Sequence, residues 1–132
     1  MLQTARFNGD GDADAMAIGP NAKASSVKAL AIGNNVSASG TLSIAIGTAS
    51  NPSTDTTTAE TPHPTSSEGT SSVAIGTSAI AQTANSIAIG TRTATYTANT
   101  TSTPVQTVGL QSIAIGFSAE TRDDNAISIG TK

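Results

Sequence analysis

"SIAIGT" stands at Ser43–Thr48 and again, letter for letter, at Ser86–Thr91. "SVAIGT" at Ser72–Thr77, "SIAIGF" at Ser112–Phe117 and "AISIGT" at Ala126–Thr131 are near copies. The glycines of the series are Gly19, Gly33, Gly47, Gly76, Gly90, Gly116 and Gly130, spaced by 14, 14, 29, 14, 26 and 14 residues. Seven units of 14 with two insertions therefore account for the chain from Asp14 onward. A short fixed period of this kind marks a stack of identical supersecondary units.

Aligned on the glycine, the preceding residue is isoleucine in every unit: Ile18, Ile32, Ile46, Ile75, Ile89, Ile115 and Ile129. Three residues before it stand Met16, Leu30, Ile44, Val73, Ile87, Ile113 and Ile127, and between the two large residues lies Ala or Ser. Large-against-small alternation of period two is the pattern of a strand with two unlike faces. A weaker alternation follows at Ala22/Ala24, Val36/Ala38, Ala79/Ala81, Thr93/Thr95 and Ala119/Thr121, and predicts a second short strand per unit. Two strands and two turns per 14 residues make one coil of an all-β solenoid, about seven coils in all. At about 4.8 Å per coil the column would stand about 34 Å tall. The sixteenth-to-129th aliphatic series is expected as the internal core ladder, with glycine freeing φ at the corner.

Composition agrees that the core is thin. Phe7, Tyr96 and Phe117 are the only aromatics, and charged residues make up 11% of the chain. Two aliphatics per coil offset little of the cost of ordering 14 residues. The flat Ala/Ser face is therefore expected to press against identical faces, and closed threefold symmetry would cover every copy at once. An obligate homotrimer follows.

With a net charge of −3 and six scattered basic residues, nucleic acid is not an expected partner. No apolar run reaches the 18 or so residues of a membrane span, and cysteine is lacking. "MLQTARFNGDGDADA" contains no apolar leader segment. No cofactor, metal site or enzymatic activity is expected. "DGDAD" at Asp10–Asp14 opens like a calcium loop but has Ala15 and Asn21 where such a loop needs Gly and Glu. His63 is the only histidine. The sequons at Asn35 and Asn99 mean little without a secretory route. The threonines of "TRTATYT" do not recur at one phase, which argues against an ice-binding face.

"NSIAIG" at Asn85–Gly90 resembles the head repeat of the YadA-like trimeric autotransporter adhesins, and the likeness extends over about Asp14 to Lys132. The resemblance implies a trimeric left-handed parallel β-roll. It also implies an adhesive role in which Asn85, Ser86, Ile87, Ala88, Ile89 and Gly90 form a contact motif for extracellular matrix or host surfaces. Neither a leader, heptads nor a barrel anchor is read in this sequence, so the leading expectation is a structural virion protein. It would be a bacteriophage capsid decoration or short fibre, assembled in the bacterial cytoplasm and docked to other virion proteins. The alternative is an adhesin head at the bacterial cell surface.

Residues 1–13 are expected as an attachment arm anchored by Leu2 and Phe7, and 14–132 as the roll. Ser/Thr/Pro-rich loops are expected at about 49–71 and 94–110, leaving the coil after its second strand and free to touch a host cell surface.

Overall fold

The computed structural model describes residues 6–7, 14–49, 64–91, 106–107, 110–117 and 119–130. All regular structure among them is β. β1 (Arg6–Phe7) opens the chain, followed by β2 (Met16–Ile18), β3 (Lys23–Ala24), β4 (Leu30–Asn34), β5 (Val36–Ala38) and β6 (Ile44–Thr48). Next come β7 (Thr65–Ser67), β8 (Val73–Thr77), β9 (Ile80–Ala81) and β10 (Ile87–Ile89). β11 (Gln106–Thr107), β12 (Ile113–Ile115), β13 (Glu120–Thr121) and β14 (Ile127–Ile129) complete the series.

From β2 onward the strands alternate between two sheets. The first runs β1-β2-β4-β6-β8-β10-β12-β14 and the second β13-β11-β9-β7-β5-β3. Pairing is parallel throughout except at β1, and the repeat is in register: Ile18 pairs with Ile32, Ile32 with Ile46, Ile46 with Ile75, and so on to Ile129. A chain that visits one sheet and then the other, advancing one strand each time, is winding the β-roll that the 14-residue period predicts.

The two faces of the first sheet are the reverse of the expected ones. Ala17, Ala31, Ala45, Ala74, Ala88 and Ala114 are buried inside the coil, and so are Ala15, Ala29, Ser43, Ser72, Ser86 and Ser112 two residues earlier. Ala24, Val36, Ala38, Thr65, Ser67, Ala81 and Thr121 meet them from the second-sheet side. The expected internal ladder, Met16, Ile18, Leu30, Ile32, Ile44, Ile46, Val73, Ile75, Ile87, Ile89, Ile113, Ile115, Ile127 and Ile129, lies on the outside of the sheet. None of its members is buried in the single chain. Cross-section is the reason. Two strands of two to five residues joined by tight turns lie too close together for side chains as large as isoleucine to interdigitate, and at native packing density only Ala, Ser and an occasional Val or Thr fill the space.

The turn before each first-sheet strand is also repeated. Lys28, Leu42, Ser71, Asn85, Gln111 and Asn125 all hold φ between 54° and 59°. Their amides climb from coil to coil, Leu42 N–H donating to Val27 O at 2.9 Å, Ser71 N–H to Thr41 O at 2.8 Å and Asn85 N–H to Thr70 O at 2.9 Å. At the opposite edge Gly47 has φ 152°, and a Cβ there would overlap the carbonyl oxygen of Gly76 in the next coil. This close backbone approach demands glycine.

The insertions leave the coil at a different point from the one expected. Thr65–Ser67 falls inside the segment assigned to the first loop, yet it is a second-sheet strand, paired with β5 and β9. Gln106–Thr107, inside the segment assigned to the second loop, pairs with β9 and β13. Both insertions therefore depart after the first strand of a coil, at its glycine edge. Thr93 and Thr95, expected as a second strand, lie outside the described residues, and their place in the sheet is taken by β11. At the N-terminal end, β1 runs antiparallel to β2, with Arg6 opposite Ala17 and Phe7 opposite Met16. The arm thus covers an otherwise open strand edge.

Candidate functional site

Among the described residues, the outward row of the first sheet forms a continuous apolar surface. Parallel register places every large aliphatic above its counterpart, so two columns of branched side chains run the length of the sheet. Most members are half-buried by their own neighbours. Exposure is greatest at the last strand, where Ile129 is 75% exposed. An apolar surface of this continuity marks an interaction site.

Both edges of the row carry further exposed apolar residues that the repeat pattern did not single out. At the turn before the strand these are Val27, Leu42 (51% exposed) and Leu110 (49%). At the edge after the strand it is Phe117 (39%), one residue beyond Gly116. Their signal in the sequence is departure from the local norm. The residue after the glycine is otherwise Pro20, Asn34, Thr48, Thr77, Thr91 or Thr131, and Thr48 and Thr77 pair through their hydroxyls at 3.3 Å.

Inside the coil the polar groups are committed to the scaffold. Ser72 Oγ–H donates to Gly69 O at 2.7 Å and lies 2.6 Å from Ser67 Oγ. Ser86 Oγ–H donates to Thr83 O at 2.6 Å, and Thr65 Oγ1–H reaches Gly76 O at 2.7 Å. The candidate contact motif Asn85–Gly90 is therefore divided. Ser86 and Ala88 are fully enclosed and cannot touch a ligand, Asn85 is an exposed left-handed turn residue, and Ile87 and Ile89 belong to the apolar row. Asn tolerates that φ better than most residues, which explains its place in the hexapeptide without an adhesive contact.

Of the two candidate anchors, Leu2 lies outside the described residues and Phe7 is placed by backbone register against Met16. Asp14 is exposed, whereas the rest of the "DGDAD" run and His63 lie outside the described residues. No group of three or more His, Cys, Asp or Glu is placed to hold a metal among the described residues. Arg122 Nε–H donates to Glu120 Oε1 at 2.7 Å, and this hydrogen bond raises the pKa of Arg122 above its ordinary value. No described helix is long and apolar enough to cross a membrane.

Four stretches of the chain, 13–35, 38–59, 67–93 and 108–132, match the family model described as "YadA head domain repeat (2 copies)". Comparison with curated proteins and with solved structures yielded no match.

Proposed function

The chain belongs to the YadA head-domain-repeat family, and from that premise we propose that it forms a homotrimeric, adhesin-like head displayed at a bacterial cell surface. The observation that carries this reading is the outward apolar row, in register over seven strands and uncovered in the single chain. Threefold association would bury it around a common axis. The trimer interface is then the isoleucine face, and the Ala/Ser face remains inside each coil. Work of this kind is adhesive and structural, as in the family's heads, with no reaction to catalyse.

The family assignment favours the cell-surface reading over the virion reading. Neither the fold nor the family match supports the latter. The adhesive surface belongs to the outside of the trimer, where the two insertions leave from the glycine edge after β6 and after β10. Two strand spacings separate their bases, about 10 Å.

Sedimentation of the purified chain at micromolar concentration tests the assembly, with a trimer expected. A well-folded single chain would overturn the reading. Binding to immobilised extracellular matrix or to whole cells tests adhesion. Replacing the insertions with short Gly/Ser links should abolish it while leaving the trimer intact, and unchanged binding would move the adhesive surface away from the loops.

A further inference from the structure

Leu110 and Phe117 are exposed apolar residues at opposite ends of one strand, β12, with Leu110 in the turn that precedes it and Phe117 just past the glycine that follows. Within one chain the three residues of β12 hold them apart. Neither is covered by its own fold, although both lie on the margin of the apolar row.

The row alone is a narrow footprint for an interface. Seven strands at a spacing of about 4.8 Å, each presenting three residues of about 3.3 Å, make a face on the order of 340 Å². A specific assembly buries about 800 Å² per partner. Widening the face to the eight residues from Leu110 in the preceding turn to Phe117 after the glycine brings it to about 890 Å², at the same 3.3 Å per residue. The edges must therefore take part.

From this we infer that Leu110 of one copy packs against Phe117 of the partner subunit, forming a rim contact repeated around the threefold axis. The inference rests on the trimer reading above. A cyclic assembly with its axis along the strand stack keeps equal coils at equal height and circulates their strands head to tail. The trailing end of β12 in one copy thereby meets the leading end of β12 in the next, a heterologous contact that closes after three steps. Leu42, in the turn before β6, is a further exposed apolar residue on this margin. It is a leucine held at φ 59° and half exposed, in a turn where Asn85 and Asn125 show the better-suited residue.

The chain has no cysteine, so the Leu110→Cys/Phe117→Cys double variant offers a clean test by mild oxidation. A disulfide needs Cα atoms within about 7 Å, which the intervening strand denies within one chain. Covalent dimers and trimers on a non-reducing gel are expected from the double variant, with neither single-cysteine variant cross-linking. A double variant that sediments as a trimer but stays unlinked would overturn the rim contact and leave the trimer standing. A wild-type chain that sediments alone would overturn the trimer itself, and the rim contact with it.

Discussion

Ser43 and Ser72 occupy equivalent positions at the head of adjacent first-sheet strands, but only Ser72 is satisfied. Ile44 N–H donates to Ser72 O at 2.9 Å, which locks the two coils together. Ser72 Oγ then finds Gly69 O and Ser67 Oγ, whereas Ser43 Oγ is fully buried without a partner among the described residues. The residue in register with Ser67 one coil earlier is Ala38, so Ser43 lacks the second-sheet hydroxyl that faces Ser72. Ser43→Ala should therefore leave stability unchanged or raise it by up to about 1 kcal/mol, and Ser72→Ala should lower it by about 1–3 kcal/mol by stranding Ser67 Oγ. Urea midpoints of the two variants check the opposite signs.

Gly47 and Gly130 share a positive φ, 152° and 112°, but not their surroundings. A Cβ on Gly47 would run into the Gly76 carbonyl, and one on Gly130 meets nothing within 4 Å. Gly130→Ala is expected to cost about 1–2 kcal/mol from backbone strain alone. Gly47→Ala should cost several kcal/mol more, because coil stacking itself must give way. Thermal unfolding followed by circular dichroism separates the two.

Inside and outside of the first sheet can be told apart with one neighbouring pair. Ala74 is sealed in the coil and Ile75 is on the outer row. Ala74→Leu is expected to lower stability by about 3 kcal/mol or more through overpacking. In the proposed trimer, Ile75→Lys should instead shift sedimentation toward single chains, because three buried ammonium groups would meet around the axis without partners.

That distinction marks where the sequence was readable and where it was not. The period, the first-sheet strands and the corner glycines follow from the hexapeptide alone. Alternation declares two faces, however, without saying which is interior. The usual rule that bulk goes inside fails when the coil is too narrow for isoleucine. The second-sheet strand Thr65–Ser67 is not legible in the sequence for a related reason. An interior that accepts Ser and Thr leaves no apolar signature, so polar strands looked like loop. Val27, Leu42, Leu110 and Phe117 were visible only as exceptions within their columns.

Lys28 tests the turn chemistry. It is exposed, holds φ 54° and occupies the column of Asn85 and Asn125. Lys28→Asn should raise stability by up to about 1 kcal/mol by relieving left-handed strain, with no change in assembly. A loss of stability would mean that the lysine stem makes a compensating contact.

The hydrogen bond from Ser71 N–H to Thr41 O spans the whole first insertion, and the strands on either side of it remain in register as if nothing intervened. Phase is thus stored in the hexapeptide and its turn, and the count of residues between copies is free. A scaffold with that property accepts foreign peptide at its glycine corner, so an epitope spliced between Thr48 and Thr65 would be presented on a rigid stem, three times over in the proposed trimer.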